Sequence, residues 1–128
     1  MTGISHDEVG AQLMLHWQLA EELVAPVRFH HDPELAPGSM RVACNVACMG
    51  ELIADLWTVQ DKCEALDLAE TNLERVGLRA HELEMVVDGV NTAVMEASQR
   101  FGIRVVQGAS FQELTAAAES SVVYSHQA

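Results

Sequence analysis

Between Ala80 and Phe101 the apolar residues Leu83, Val86, Val87, Val90, Val94, Ala97 and Phe101 return every three or four positions. That spacing lays them on one stripe of a helix, and a stripe of this length must be covered by other elements. Aromatic residues make up only 5% of a chain that is 49% hydrophobic. A core built from Leu, Val, Ala and Met suits helix-on-helix packing better than a sheet. The expected fold class is therefore all-α, an irregular bundle of about five to six helices.

The remaining segments repeat the pattern. Ser5-His6-Asp7-Glu8 has the spacing of a capping box, opening a first helix with Val9, Leu13 and Trp17 on one stripe. A break at Leu19-Ala20 precedes a second helix over 21–31, which holds Leu23, Val24, Val27 and His31, with Pro26 inside it as the point of a kink. Pro33, Pro37 and Gly38 mark 32–39 as a loop. The longest helix is expected over 40–60, with Val42, Ala43, Val46, Ala47, Gly50, Ile53, Ala54 and Trp57 as its apolar set. Weaker helices follow over 61–68 and 71–76, ended by Gly77. Gly102 ends the 80–101 helix, and Ser110-Phe111-Gln112-Glu113 opens a last one to about Ser120. Residues 103–106 look β-like but are too few to make a sheet. The organisation expected is one helical domain over 1–120 with a frayed tail over 121–128. Met40, Met49, Met85 and Met95 fall at positions that suit packing.

With 19 acidic against 7 basic residues and a formal net charge of −12, the chain repels phosphate backbones, which argues against nucleic acid as a partner. No basic and apolar leader opens the sequence, and no apolar run nears the roughly 20 residues of a membrane span, so no membrane partner is expected. Cys44, Cys48 and Cys63 sit within helical patterns as small hydrophobes, which fits a reducing, cytoplasmic setting. A zinc pair at Cys44 and Cys48 lacks partners at a suitable spacing.

Histidine is the residue type with chemistry to offer. His6 opens the first helix, and His30, His31 and Asp32 close the second. Two readings compete. In one, His30 and His31 are helix-end residues bonded to the last carbonyls, where the helix dipole favours an imidazolium. In the other, His6, one of His30 and His31, and Asp32 converge as three ligands of a divalent metal with open coordination positions. Neighbours on a regular helix point about 100° apart, so His30 and His31 are not both expected to face one site. His16, His81 and His126 carry no role. No Gly-rich phosphate loop, nucleophile elbow or activated cysteine is present.

His6-Asp7-Glu8-Val9-Gly10-Ala11, then Leu13, then Trp17-Gln18-Leu19, Glu21-Glu22-Leu23-Val24 and Val27-Arg28-Phe29-His30-His31-Asp32-Pro33-Glu34 resemble the H-x-x-V-G-A, W-x-L and HH stretch of HDOD domains. These are bacterial signalling modules related to the HD and HD-GYP phosphohydrolases. The stretches around Val76–Leu83 and Ser110–Leu114 resemble the family more loosely. Ala20 stands where the family usually has Pro. The resemblance implies an HD-superfamily-like helical fold. It aligns His6-Asp7 with the family's later histidine, not with the enzymatic His-Asp dyad. On that alignment the chain is the C-terminal half of such a domain, and His6, His30, His31 and Asp32 are at most a vestigial half-site for metal.

The function that the resemblance implies is a non-catalytic regulatory or signal-transduction module with no cofactor, working through contacts with other signalling proteins or domains. The alternative is a metal-dependent phosphohydrolase of the HD-GYP kind. Because the first half of such a domain would otherwise cover Val9, Leu13, Trp17, Leu23 and Val27, the expectation is either a homodimer through the first two helices or a chain that is marginally stable alone.

Overall fold

A computed structural model describes residues 3–103 and 108–125, with the side chains of 121–125 left aside. Among the described residues the chain is helical throughout: α1 (His6–His16), α2 (Glu21–Phe29), α3 (Arg41–Thr58), α4 (Lys62–Asn72), α5 (Ala80–Phe101) and α6 (Phe111–Ser125), with short 3-10 helices at Pro33–Leu35 and Leu73–Val76. The all-α expectation holds. The chain divides into two compact units, 1–51 and 52–128, and the division falls within α3.

In the first unit α1 packs on α2. Ala11 is the residue of α1 that is fully buried, whereas Val9, Leu13 and Trp17, the expected stripe, are 53%, 45% and 61% exposed. Ser5 does sit at the N-cap, but its side chain makes no capping bond. Its hydroxyl serves the Asp7 carboxylate instead and is the main reason that this carboxyl lies below its ordinary range. The helix ends at His16, ahead of the expected break, with Trp17 as its C-cap, and Gln18 beyond it is left-handed with φ of 58°. The Gln18 and Leu19 N–H groups donate back to the carbonyls of Leu15 and Met14, at 2.9 and 3.0 Å, which is a Schellman closure with a non-glycine residue at its turning point.

α2 stops at Phe29 and contains Pro26, which removes the donor that the Glu22 carbonyl would otherwise receive. Its buried residues Val24 and Ala25 face inward while Leu23 is 56% exposed. Ala25, Ala36 and Cys44 form a small core with Phe29 and Met40 packed against it. Burial pushes the Cys44 thiol up, so it behaves as the small hydrophobe that the sequence suggested. The 32–39 loop is not featureless, since Asp32 caps the short helix Pro33–Leu35.

α3 buries a different face from the one its small and branched residues advertise. Cys44, Met49, Ile53 and Leu56 are inside, while Val42 and Val46 are 74% and 57% exposed. Of the four methionines read as packing, Met49 is buried and Met40 packs on the Cys44 core, but Met85 and Met95 are exposed.

In the second unit α4 packs mainly on α6, with Ala65, Leu66 and Ala69 buried on α4, and Leu114 and Ala118 buried on α6. The short helix expected at 71–76 is the continuation of α4 through Leu73–Val76. Gly77 and Gly102 end their helices at φ of 73° and 64°, which a side chain would disfavour. α5 buries Leu83 and Val87 from its stripe, and Phe101 at its end is 71% exposed. The Trp57 indole N–H donates to the Ala109 carbonyl at 3.0 Å. α6 runs to Ser125, five residues past the expected end at Ser120. Residues 104–107, most of the β-like patch, and 126–128 at the end of the expected tail lie outside the described residues.

The box that opens α6 closes as the sequence suggests. The Ser110 N–H and hydroxyl donate to Glu113 Oε2 at 2.7 and 3.0 Å, and the Glu113 N–H returns to the Ser110 hydroxyl at 3.3 Å. These bonds, the backbone one first, hold the Glu113 carboxyl below its ordinary value. Folding therefore favours the ionised form, and the stabilisation is present above the unfolded pKa and fades as pH falls through the folded one. Glu113→Gln is expected to lower the melting temperature at pH 7 and to narrow the fall in melting temperature between pH 6 and pH 3. Circular dichroism melts across that range check it, and an unchanged acid limb would remove the box from the account.

Candidate histidine site

The α1–α2 packing brings the first turn of α1 beside the residues that leave α2. His6 is the first residue of α1. His30 is the C-cap of α2, still in αR conformation, and His31 lies beyond it in a bend. Because the regular helix has already ended at Phe29, the 100° rule for neighbours no longer separates the two rings. Both reach His6: its Nε2 lies 3.0 Å from His30 Nε2 and 3.2 Å from His31 Nε2. The expectation that only one of the pair could face the site is corrected by this early helix end. The His30 and His31 ring centroids are 4.1 Å apart, and His6 lies 5.1 and 4.8 Å from them.

The Nδ1 atoms of His30 and His31 are also engaged. His30 Nδ1 lies 2.8 Å from the Val27 carbonyl, which can only accept, so Nδ1 carries the proton and Nε2 the lone pair of the neutral ring. His31 Nδ1 lies 3.2 Å from Glu51 Oε2, so this nitrogen too carries a proton. Glu51 Oε2 is also 3.7 Å from His30 Nε2. The helix-end reading of His30 is thus realised in its Val27 bond, at the same time as its far nitrogen joins the cluster.

His6, His30, His31 and Glu51 each present a ligand atom within 4.8 Å of the others, and among the described residues no further group of three or more His, Cys, Asp or Glu does so. The set is semi-exposed, with the His30 side chain 14% and the Glu51 side chain 36% accessible. Asp32, the carboxylate expected beside the histidines, is not in the cluster. It caps the next short helix, where its backbone carbonyl accepts from the Leu35 N–H at 3.0 Å. Glu51 takes the carboxylate position, from α3. A signal for it did exist, since Val42–Gly50 carries no charged side chain and Glu51 is the first carboxylate of α3. Asp7 and the exposed His16 and His81 stand outside the cluster, and His126 lies outside the described residues.

A histidine cluster held by a helical hairpin defines the class of site. The HDOD domain family model matches residues 1–33, a stretch that contains the three histidines of the cluster, and over it the chain is similar to HDOD domains. The match stops short of 76–83 and 110–114, so it lends no support to assigning the chain to the C-terminal half of such a domain. Neither the curated proteins nor the solved structures provide a match. No helix among the described residues is long and apolar enough to cross a membrane.

Proposed function

We propose that the chain is a non-catalytic regulatory module that works through protein–protein contacts made by α1 and α2. The observation that carries this reading is the uncovered apolar surface of that helix pair. Leu13, Trp17, Leu19 and Leu23 are all more than a third exposed, and beside them a groove is lined by Leu15, Leu19, Val24, Ala25 and Phe29 with Glu21 and Arg28 at its margin. An apolar centre with a charged rim, carrying a tryptophan, is the composition of a docking surface. The HDOD match over the same residues supports a signalling context.

Self-association is the simplest form of such contact. The chain is expected to behave as a dimer in size-exclusion chromatography with light scattering at tens of micromolar, and Trp17→Glu to shift it to monomer with its helical circular dichroism intact. A monomeric wild type that is indifferent to Trp17→Glu, at every concentration, would count against this reading. The alternative, a metal-dependent phosphohydrolase, is favoured by the convergence of the three imidazoles. It would declare itself as Mn²⁺-dependent hydrolysis of bis(p-nitrophenyl) phosphate that is lost in His31→Ala.

A further inference from the structure

The turn that joins α3 to α4 encloses a cavity of about 100 Å³. Leu52, Val59, Ala65 and Leu68 give it apolar walls, and Asp55, Asp61 and Glu64 complete the lining. Sites for cofactors and substrates run to about 300–1,000 Å³, so this one has room for a single side chain. Leu68 is 46% exposed, which carries the apolar lining out to solvent. The three carboxylates have no cation of their own. Among the described residues none of them is ion-paired, and Lys62, next to Asp61 in the chain, donates its ammonium to the Val59 carbonyl instead. Asp61 Oδ1 accepts from the Glu64 N–H as the cap of α4, and Asp55 Oδ1 accepts from the Thr58 hydroxyl, so each keeps a second oxygen for another donor. The three are not gathered closely enough to hold a bare metal ion. The same negative charge continues along α4 through the exposed Asp67 and Glu70.

We infer that this cavity is the docking point for a basic segment of a partner protein, with the stem of one lysine or arginine inside it and the cationic head among Asp55, Asp61 and Glu64. Long basic side chains lay their methylenes on apolar surface and keep the charge in water, which is the division that this lining offers. Further basic residues of the segment are drawn to Asp67 and Glu70. Charge complementarity selects the occupant. A second copy of a chain with a net charge of −12 is repelled from this face, as are a phosphate backbone and an anionic membrane. The inference stands apart from the protein-contact reading of α1 and α2, because every residue it uses lies in the second unit.

The full chain, labelled with nitrogen-15 and titrated at low ionic strength with acetylated, amidated tetralysine, tests it. Amide shifts centred on residues 52–68 are expected, with a dissociation constant of about 100 μM or below. Asp61→Asn combined with Glu64→Gln removes both charges and keeps the cap, since asparagine caps a helix as well as aspartate does. That pair is expected to weaken binding at least about 10-fold. Glu84→Gln combined with Glu96→Gln removes the same charge from α5 and changes the affinity less than about 2-fold. Leu68→Ser leaves the charge alone and weakens binding by about 3–10-fold through the lost apolar contact. Spermine, equal to the peptide in charge but without its backbone, binds more weakly. A loss as large in the α5 variant, shifts centred elsewhere, spermine binding as tightly as the peptide, or no binding by the folded wild type at millimolar peptide overturns the inference.

Discussion

Leu83→Ala is expected to cost about 2–5 kcal/mol, the range for a leucine truncated where the surroundings cannot collapse onto the space. Leu83 is fully buried, and Val87, one turn further along α5, is too. Two adjacent turns closed to solvent leave no water to fill the gap, so both the transfer term and the cavity term apply. Met85, on the same helix, is 69% exposed, and Met85→Ala is expected to stay within about 0.5 kcal/mol. The contrast isolates burial from residue type, since both are long, unpolarised side chains in the first two turns of α5. The chain has two tryptophans, Trp17 in the first unit and Trp57 in the second. In a Trp17→Phe background the Trp57 emission therefore reports the unit that holds Leu83, and urea unfolding followed by it gives the difference in midpoint at a comparable slope. Equal losses at Leu83 and Met85 would mean that α5 is not buried as described.

The α5 stripe shows how far periodicity reaches. Its existence, start and stop were all legible, because a run of 22 residues at helical spacing ended by a glycine leaves little choice. Which of its apolar residues are inside was less legible, because Val90 and Phe101 share the spacing of Leu83 and Val87 yet remain outside. α3 makes the point more sharply. Small and branched residues line up through Val42, Val46 and Ile53, but the packed face runs through Cys44, Met49, Ile53 and Leu56. Where nearly every position of a helix is apolar, several faces qualify and tertiary contact selects among them. The two serine boxes differ for a comparable reason: Ser110 binds Glu113 in both directions, while the Ser5 hydroxyl is drawn to Asp7.

For the site, the three histidines were visible as residues and their meeting was not. It depended on α2 ending at Phe29, two residues earlier than the apolar pattern suggests, which freed His30 and His31 from helical geometry. The carboxylate was assigned to Asp32 by proximity in sequence, whereas Glu51, 19 residues further on, arrives by folding from α3. Contacts of that kind are set by how helices cross, and the crossing angle is written in packing residues and not in the ligands.

One such packing residue supplies the second large effect. Gly10 lies one turn after His6 on α1, and a Cβ built there would stand 2.9 Å from Val27 Cγ1 on α2. Val27 is β-branched and has essentially one χ1 rotamer open to it in a helix, so it does not swing away. Gly10→Val therefore pushes the two helices apart or forces Val27 off its rotamer, at about 1–3 kcal/mol, more than the gain in helix propensity over glycine returns. Val27 also holds the histidine site, since its carbonyl accepts from His30 Nδ1 and His31 follows four residues on. A wedge at this contact therefore moves His30 and His31 away from His6. Gly10→Val is expected to lower the melting temperature by several degrees. Adding Val27→Ala, which clears the colliding methyls and leaves the carbonyl in place, restores much of the loss. A double-mutant cycle in chemical unfolding measures the coupling, and a coupling energy near zero would show that α1 and α2 do not approach as closely as the Gly10–Val27 contact requires.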